Sequence, residues 1–265
     1  MSINFDLRDI PERTQKNRDY GLTMVMDKGL SCKMVEDLLD TAGEYIDIVK
    51  LGFGSAFVTP NLEQKLNIYR SFDVPVYFGG TLFEAFVIRN QYEDYKRLME
   101  RYSINYVEVS DGSLLIPHDK KCEFIEDLAK DFTVLSEVGS KDAETIIPPY
   151  KWIELMRKEY DAGSYKVIAE ARESGTVGIF RETGEVRSGL VDEILTQIDG
   201  RKIIWEAPKK PQQVWFIKLL GQNVNLGNIA PQEVIPLETM RIGMRADTFP
   251  DFLYKNHSEF HLRQV

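Results

Sequence analysis

Eight charged side chains stand at or just past the ends of short apolar runs: Asp27, Lys50, Glu108, Glu137, Lys141, Glu170, Arg172 and Glu206. Five are acids and three are bases. If the two-residue alternation of a strand turns them all inward, two negative charges are left unmatched. Burying an uncompensated pair of carboxylates is costly, so a divalent cation is expected, and oxygen ligands favour magnesium over zinc. None of the three histidines, His118, His257 and His261, falls at such an end. Histidine-ligated zinc and a Ser-His-Asp triad are therefore not expected. Proton transfer falls to a lysine or a carboxylate; a lysine among carboxylates can serve as a general acid, and one in a desolvated pocket can form a Schiff base. The residue types leave both open.

Further polar groups suit an anionic ligand. Arg172, with Arg241 and Arg245 of "LETMRIGMRADT", offers forked recognition of phosphate, carboxylate or sulfonate, and the i, i+4 spacing of the last two predicts one helical face. "NLGN", with Asn225, Gly227 and Asn228, could supply backbone donors, and "GGT" at 79–81 allows close backbone approach, with Glu84 one helical turn beyond.

The elements that must position these groups alternate along the chain. Strand candidates are "LTMVMDKG", "DIVKLGFG", "VPVYFGGT", "NYVEVSDG", "TVLSEVGSK", "YKVIAEARESG", "IIWEAP" and "VNLGNI". Helical patterns separate them, one of them running unbroken from Leu82 to Ser103, and a last one opens at Pro231. Strict alternation implies right-handed crossovers and a parallel sheet. Eight units predict an α/β fold, a closed (β/α)8 barrel of TIM type, whose active site lies at the C-terminal ends of the strands. The first strand is followed by no GxGxxG, which weakens a dinucleotide-binding reading. One domain is expected over 1–265, with the barrel at about 20–248, an N-terminal extension at 1–19 and a tail at 249–265.

The chain has 265 residues, 43% of them hydrophobic, and a formal charge of −9. The negative balance argues against nucleic acid or an anionic membrane as partner. Cys32 and Cys122 form no metal or disulfide pattern, no signal-peptide core opens the chain, and no run of about 18 apolar residues occurs. A cytoplasmic protein is expected.

The motifs "GLTMVMDKG", "YIDIVKLGFGS", "FGGTLFE", "VEVSDG", "LSEVGSK", "EARESG", "IIWEAPKKPQQ", "VNLGNI" and "LETMRIGMRADT" together resemble those of the phosphosulfolactate synthase family, from about Gly21 to Thr248. The resemblance implies a magnesium-dependent lyase that adds sulfite to phosphoenolpyruvate to form (2R)-phospho-3-sulfolactate, a step toward coenzyme M or sulfolactate. It makes Lys141 the candidate proton donor with Glu137 beside it, and Glu108, Glu170, Glu206 and Asp27 candidate metal ligands. Lys50, Arg172, Asn225, Gly227, Asn228, Arg241 and Arg245 become candidate substrate contacts. A homo-oligomer is expected. The alternatives are another magnesium or Schiff-base lyase on the same barrel, and a non-catalytic stress-associated homologue.

Overall fold

The computed structural model describes residues 4–139 and 147–252. Its eight parallel strands are β1 (Thr23–Asp27), β2 (Ile48–Leu51), β3 (Val76–Phe78), β4 (Tyr106–Val109), β5 (Thr133–Val138), β6 (Lys166–Ala169), β7 (Ile203–Glu206) and β8 (Leu226–Ile229). They form one sheet in the order β3-β2-β1-β8-β7-β6-β5-β4. The two ends of that order, β3 and β4, lie against each other, so the sheet curls into a nearly closed barrel. This is the (β/α)8 architecture expected from the repeated pattern.

Strand alternation divides the apolar residues between two faces. Leu22, Met24, Ile48, Tyr77, Leu135, Ile168 and Ile204 pack together inside the barrel. Outward residues such as Val25, Val49, Val107, Val134, Val167 and Trp205 join the helices in the larger core. The helix Cys32–Ala42 shows the local logic. Ser31 Oγ accepts from Met34 N at 3.2 Å as its N-cap, while Val35, Leu39 and Ala42 face the sheet.

The pattern from Leu82 to Ser103 is two helices, Gly80–Val87 and Tyr92–Arg101, rather than one. Asn90 between them takes a left-handed backbone, φ 56°, and Gln91 O then accepts from Tyr95 N to restart the helix. Asparagine tolerates that conformation, and nothing in the hydrophobic periodicity marks it.

β8 carries a second local irregularity. Its register with β1 shifts by one residue, from Thr23–Leu226 to Val25–Ile229. The extra residue falls where Asn228 sits at φ 55°, which is the signature of a bulge. Bulges re-aim side chains at barrel rims, and this one turns Asn228 toward the mouth.

Candidate active site

One pleat above the apolar floor, the inward positions become charged. Ile48 is followed by Lys50, Tyr106 by Glu108, Leu135 by Glu137 and Ile204 by Glu206, all at the C-terminal ends of their strands. The four side chains meet. Lys50 Nζ lies 2.9 Å from Glu108 Oε2, 3.4 Å from Glu137 Oε2 and 3.4 Å from Glu206 Oε1. All four residues are buried.

Neighbouring backbone groups orient the carboxylates. Gly80 N–H donates to Glu108 Oε1 at 2.6 Å from the first turn of the helix Gly80–Val87, so the positive end of that helix faces a carboxylate. Ala171 N–H donates to Glu206 Oε2 at 2.9 Å. Gly80 has no room for a side chain: a Cβ there would stand 2.1 Å from Ser110 Oγ and 2.7 Å from Glu108 Oε1. Glu84, one turn on, accepts from the Ser110 hydroxyl and from Ser113 N, which ties the β4 loop to the same helix.

Charge and burial oppose each other here. Burial alone would lower the Lys50 ammonium, but the negative charges of Glu108, Glu137 and Glu206 outweigh it and hold its pKa well above the ordinary lysine range. Burial pushes Glu206 up to about 7, with Glu137 adding to the shift and Lys50 opposing it. One cation faces three carboxylates, and that imbalance favours the protonated form of Glu206. Beneath it, burial and the negative charge of Glu108 keep the Tyr77 hydroxyl protonated, and it donates to Met24 Sδ at 2.7 Å.

Above the cluster opens a cavity of about 240 Å³. Met26, Phe53, Gly79, Arg172 and Asn228 line it with the charged residues. Asn228 Oδ1 is buried and has no hydrogen-bond partner among the described residues. The volume suits a small ligand, below the roughly 300 Å³ at which pockets for drug-sized molecules begin.

Of the expected metal ligands, Glu108 and Glu206 come together with Glu137, whereas Asp27 points away from them. Met24 and Met26 take the inward positions of β1, so Asp27 points outward. There Asp27 pairs with Lys65 at 2.6 Å and accepts from Tyr69 OH, Gly29 N and Leu30 N. It is a clamp between the end of β1 and the helix Leu62–Ser71. Glu170, one residue past β6, packs at Gly139, where an added Cβ would meet its own Cβ at 2.6 Å. Lys141 lies outside the described residues.

The expected substrate contacts divide by the two mouths of the barrel. Lys50, Arg172 and Asn228 are at the C-terminal mouth. Gly227 is a packing glycine in the interior, its missing Cβ leaving room for Met24 Cε. Asn225 is at the opposite end of β8, accepting from Gly21 N and Leu22 N and donating to Arg201 O and Ile203 O. Arg241 joins it there, donating to Gln222 O, Val224 O and Leu22 O. The helix Val234–Arg241 starts beside the upper mouth and ends at the lower one, so Arg241 and Arg245 do not share a helical face. Spacing alone could not show that the helix stops between them.

Sequence reasoning passed over Tyr77 and Phe53, which look like ordinary strand and loop aromatics. A signal existed for Tyr77, whose position two residues before Gly79 puts its hydroxyl on the inward side.

Comparison with known proteins agrees with the geometry. The family model described as (2R)-phospho-3-sulfolactate synthase matches residues 11–247. A phosphosulfolactate synthase of Bacillus subtilis (strain 168) is 41% identical over 244 residues, covering 91% of this chain and 97% of that protein. One from Methanocaldococcus jannaschii is 43% identical over 236 residues, covering 86% and 94%. Among solved structures, 3-hexulose-6-phosphate synthase from Salmonella typhimurium superposes with a TM-score of 0.53 at 14% identity, covering 87% of this chain and 98% of that one, a likeness of fold. With the family model spanning all eight strands and two relatives above 40% identity over most of their length, the chain belongs to the (2R)-phospho-3-sulfolactate synthase family.

Proposed function

We propose that the protein is a carbon–sulfur lyase that adds sulfite to phosphoenolpyruvate with magnesium, giving (2R)-phospho-3-sulfolactate. The observation that carries the reading is the meeting of Glu108, Glu137 and Glu206 around Lys50 in a small cavity at the C-terminal mouth.

The donor set fits magnesium in its chemistry. All three acids present oxygen, and the single ammonium leaves two of their charges unbalanced when all are ionised. The described residues contain no ready-made cage of three His, Cys, Asp or Glu ligands. Magnesium seldom requires one, since it usually keeps several waters and takes one or two carboxylates together with substrate oxygens. One or two of Glu108, Glu137 and Glu206 would hold it. When bound, it supplies Lewis-acid stabilisation of charge developing on the substrate carboxylate.

The sulfur lone pair of sulfite forms a bond to the methylene carbon, and the alkene electrons move onto the carboxylate as an enediolate. Lys50, held as ammonium by its three partners, adds fixed positive charge beside that site. Arg172, which lines the cavity, would receive the phosphate or sulfonate. The enediolate then collapses and the phosphate-bearing carbon takes a proton, which we assign to Lys141. No bond to phosphate breaks, so the product keeps the phosphate at carbon 2 and gains a sulfonate at carbon 3. Reaction in the cytoplasm by a homo-oligomer completes the proposal, and light scattering would measure the assembly.

The test mixes the purified protein with phosphoenolpyruvate, sulfite and magnesium and follows phosphosulfolactate by mass spectrometry. Product that requires all three is expected. No product under these conditions, together with a borohydride-trapped adduct on a lysine, would replace this reading with a Schiff-base lyase.

A further inference from the structure

Outside the barrel, Lys121 on the helix His118–Leu128 is 1% exposed. Lysine is rarely buried so completely without partners. Its ammonium meets three: the backbone carbonyl of Glu137 at 2.6 Å, Asp111 Oδ1 at 2.9 Å and Glu159 Oε1 at 2.8 Å. Each comes from a different element. Glu137 is in β5, Asp111 lies just past β4, and Glu159 is on the helix Pro149–Asp161. Burial alone would lower the Lys121 ammonium, but Glu159 and Asp111 outweigh it and keep it charged.

The Glu137 carbonyl needs this donor for a reason of register. Val134 O and Val138 O accept from Tyr165 N and Glu170 N on the β6 side. Alternation therefore turns the Glu137 carbonyl toward β4, whose ladder with β5 ends at the Val109–Ser136 pair. The lysine ammonium stands where a further β4 N–H would have been. By gripping Asp111 at the same point, it also joins the end of β4 to the end of β5. Those two strands carry Glu108 and Glu137.

We propose that Lys121 is a positioning residue, which sets from outside the barrel the spacing of Glu108 and Glu137 around Lys50. The inference rests on reading that cluster as the reacting site. Misplacement of a catalytic group by about 1 Å can cost about a hundredfold in rate, so the expected effect is on turnover.

Lys121→Met alone would leave Glu159 in the interior with only the His118 imidazole, 3.2 Å away, as its partner. The variants are therefore K121M/E159Q and, as a milder cut at the β4 side, Asp111→Asn, whose side chain is 27% exposed. Crystal structures of both, with kcat and KM for phosphoenolpyruvate, decide the matter. The expected result is a displacement of the Glu108 or Glu137 carboxylate by more than about 0.5 Å, the tolerance of a preorganised site, with kcat down at least tenfold in the double variant and KM changed less than threefold. Carboxylates that stay in place, or unchanged kcat, in whichever variant folds would overturn it. If the parent protein shows no sulfite-dependent turnover, the functional reading fails, while the carboxylate positions still decide the role of Lys121.

Discussion

At the scale of single residues, Lys50 and Glu206 set the electrostatics of the site. Glu206 has its folded pKa raised to about 7, above the ordinary carboxylate value near 4.5. A raised folded pKa means that the folded state holds a proton the unfolded state has released. Stability is therefore fully present below about pH 4.5 and declines as the pH rises toward 7. For the metal-free protein this single group accounts for a loss on the order of 2–3 kcal/mol across that window. Urea unfolding in the presence of a chelator should show the decline, and Glu206→Gln should flatten it; an unaltered slope in the variant would place the proton elsewhere. Lys141→Ala addresses the proton donor. The variant should melt near the parent temperature and lose at least about a hundredfold in phosphosulfolactate formation, the usual weight of a general acid. Near-normal turnover would remove Lys141 from the mechanism.

At the scale of elements, glycine placement and strand ends decide what can meet. The helix Gly80–Val87 starts directly against Glu108 and Ser110, and Gly80→Ala would force its Cβ into both. Overpacking of this kind costs about 1–3 kcal/mol. We expect a lowered melting temperature with at least a tenfold loss of turnover, because the added methyl pushes the Glu108 carboxylate away from the N–H of residue 80. At the other mouth, Arg241 satisfies three strand-end carbonyls, and burial, reinforced by Arg13, lowers its pKa to about 9. Arg241→Met should cost about 1–3 kcal/mol in stability, since it leaves the buried Val224 carbonyl without a donor and takes one of two donors from Gln222 O and Leu22 O. The KM for phosphoenolpyruvate measured on the folded fraction should stay at the parent value. A raised KM would mean that Arg241 acts on substrate after all.

At the scale of the whole molecule, magnesium should couple to folding. A ligand that binds only the native state at a hundred times its dissociation constant adds about 2.7 kcal/mol. Calorimetry should then show the melting temperature rising by several degrees with magnesium and falling back with chelator. The double variant E108Q/E137Q should show no such rise. An equal rise in that variant would put the ion outside the cluster.

The order of eight strand and helix units was legible in the chain because period-two and helical patterns are local, and short apolar runs announce strands wherever they occur. So was the concentration of charge at the strand ends, which points to the C-terminal mouth as the candidate site. Residues 50, 108, 137 and 206 are far apart in sequence, and only closure of the barrel brings their side chains to one point. Alternation puts Lys50, Glu108, Glu137 and Glu206 inward, yet at β1 the expectation of an inward Asp27 is one residue out of phase, because an acid ending a strand does not reveal its parity. Tertiary structure decided that Met26 faces the lumen while Asp27 clamps a helix. It also sent Asn225 and Arg241 to the lower mouth, since a helix that starts beside the site necessarily ends a barrel's height away from it.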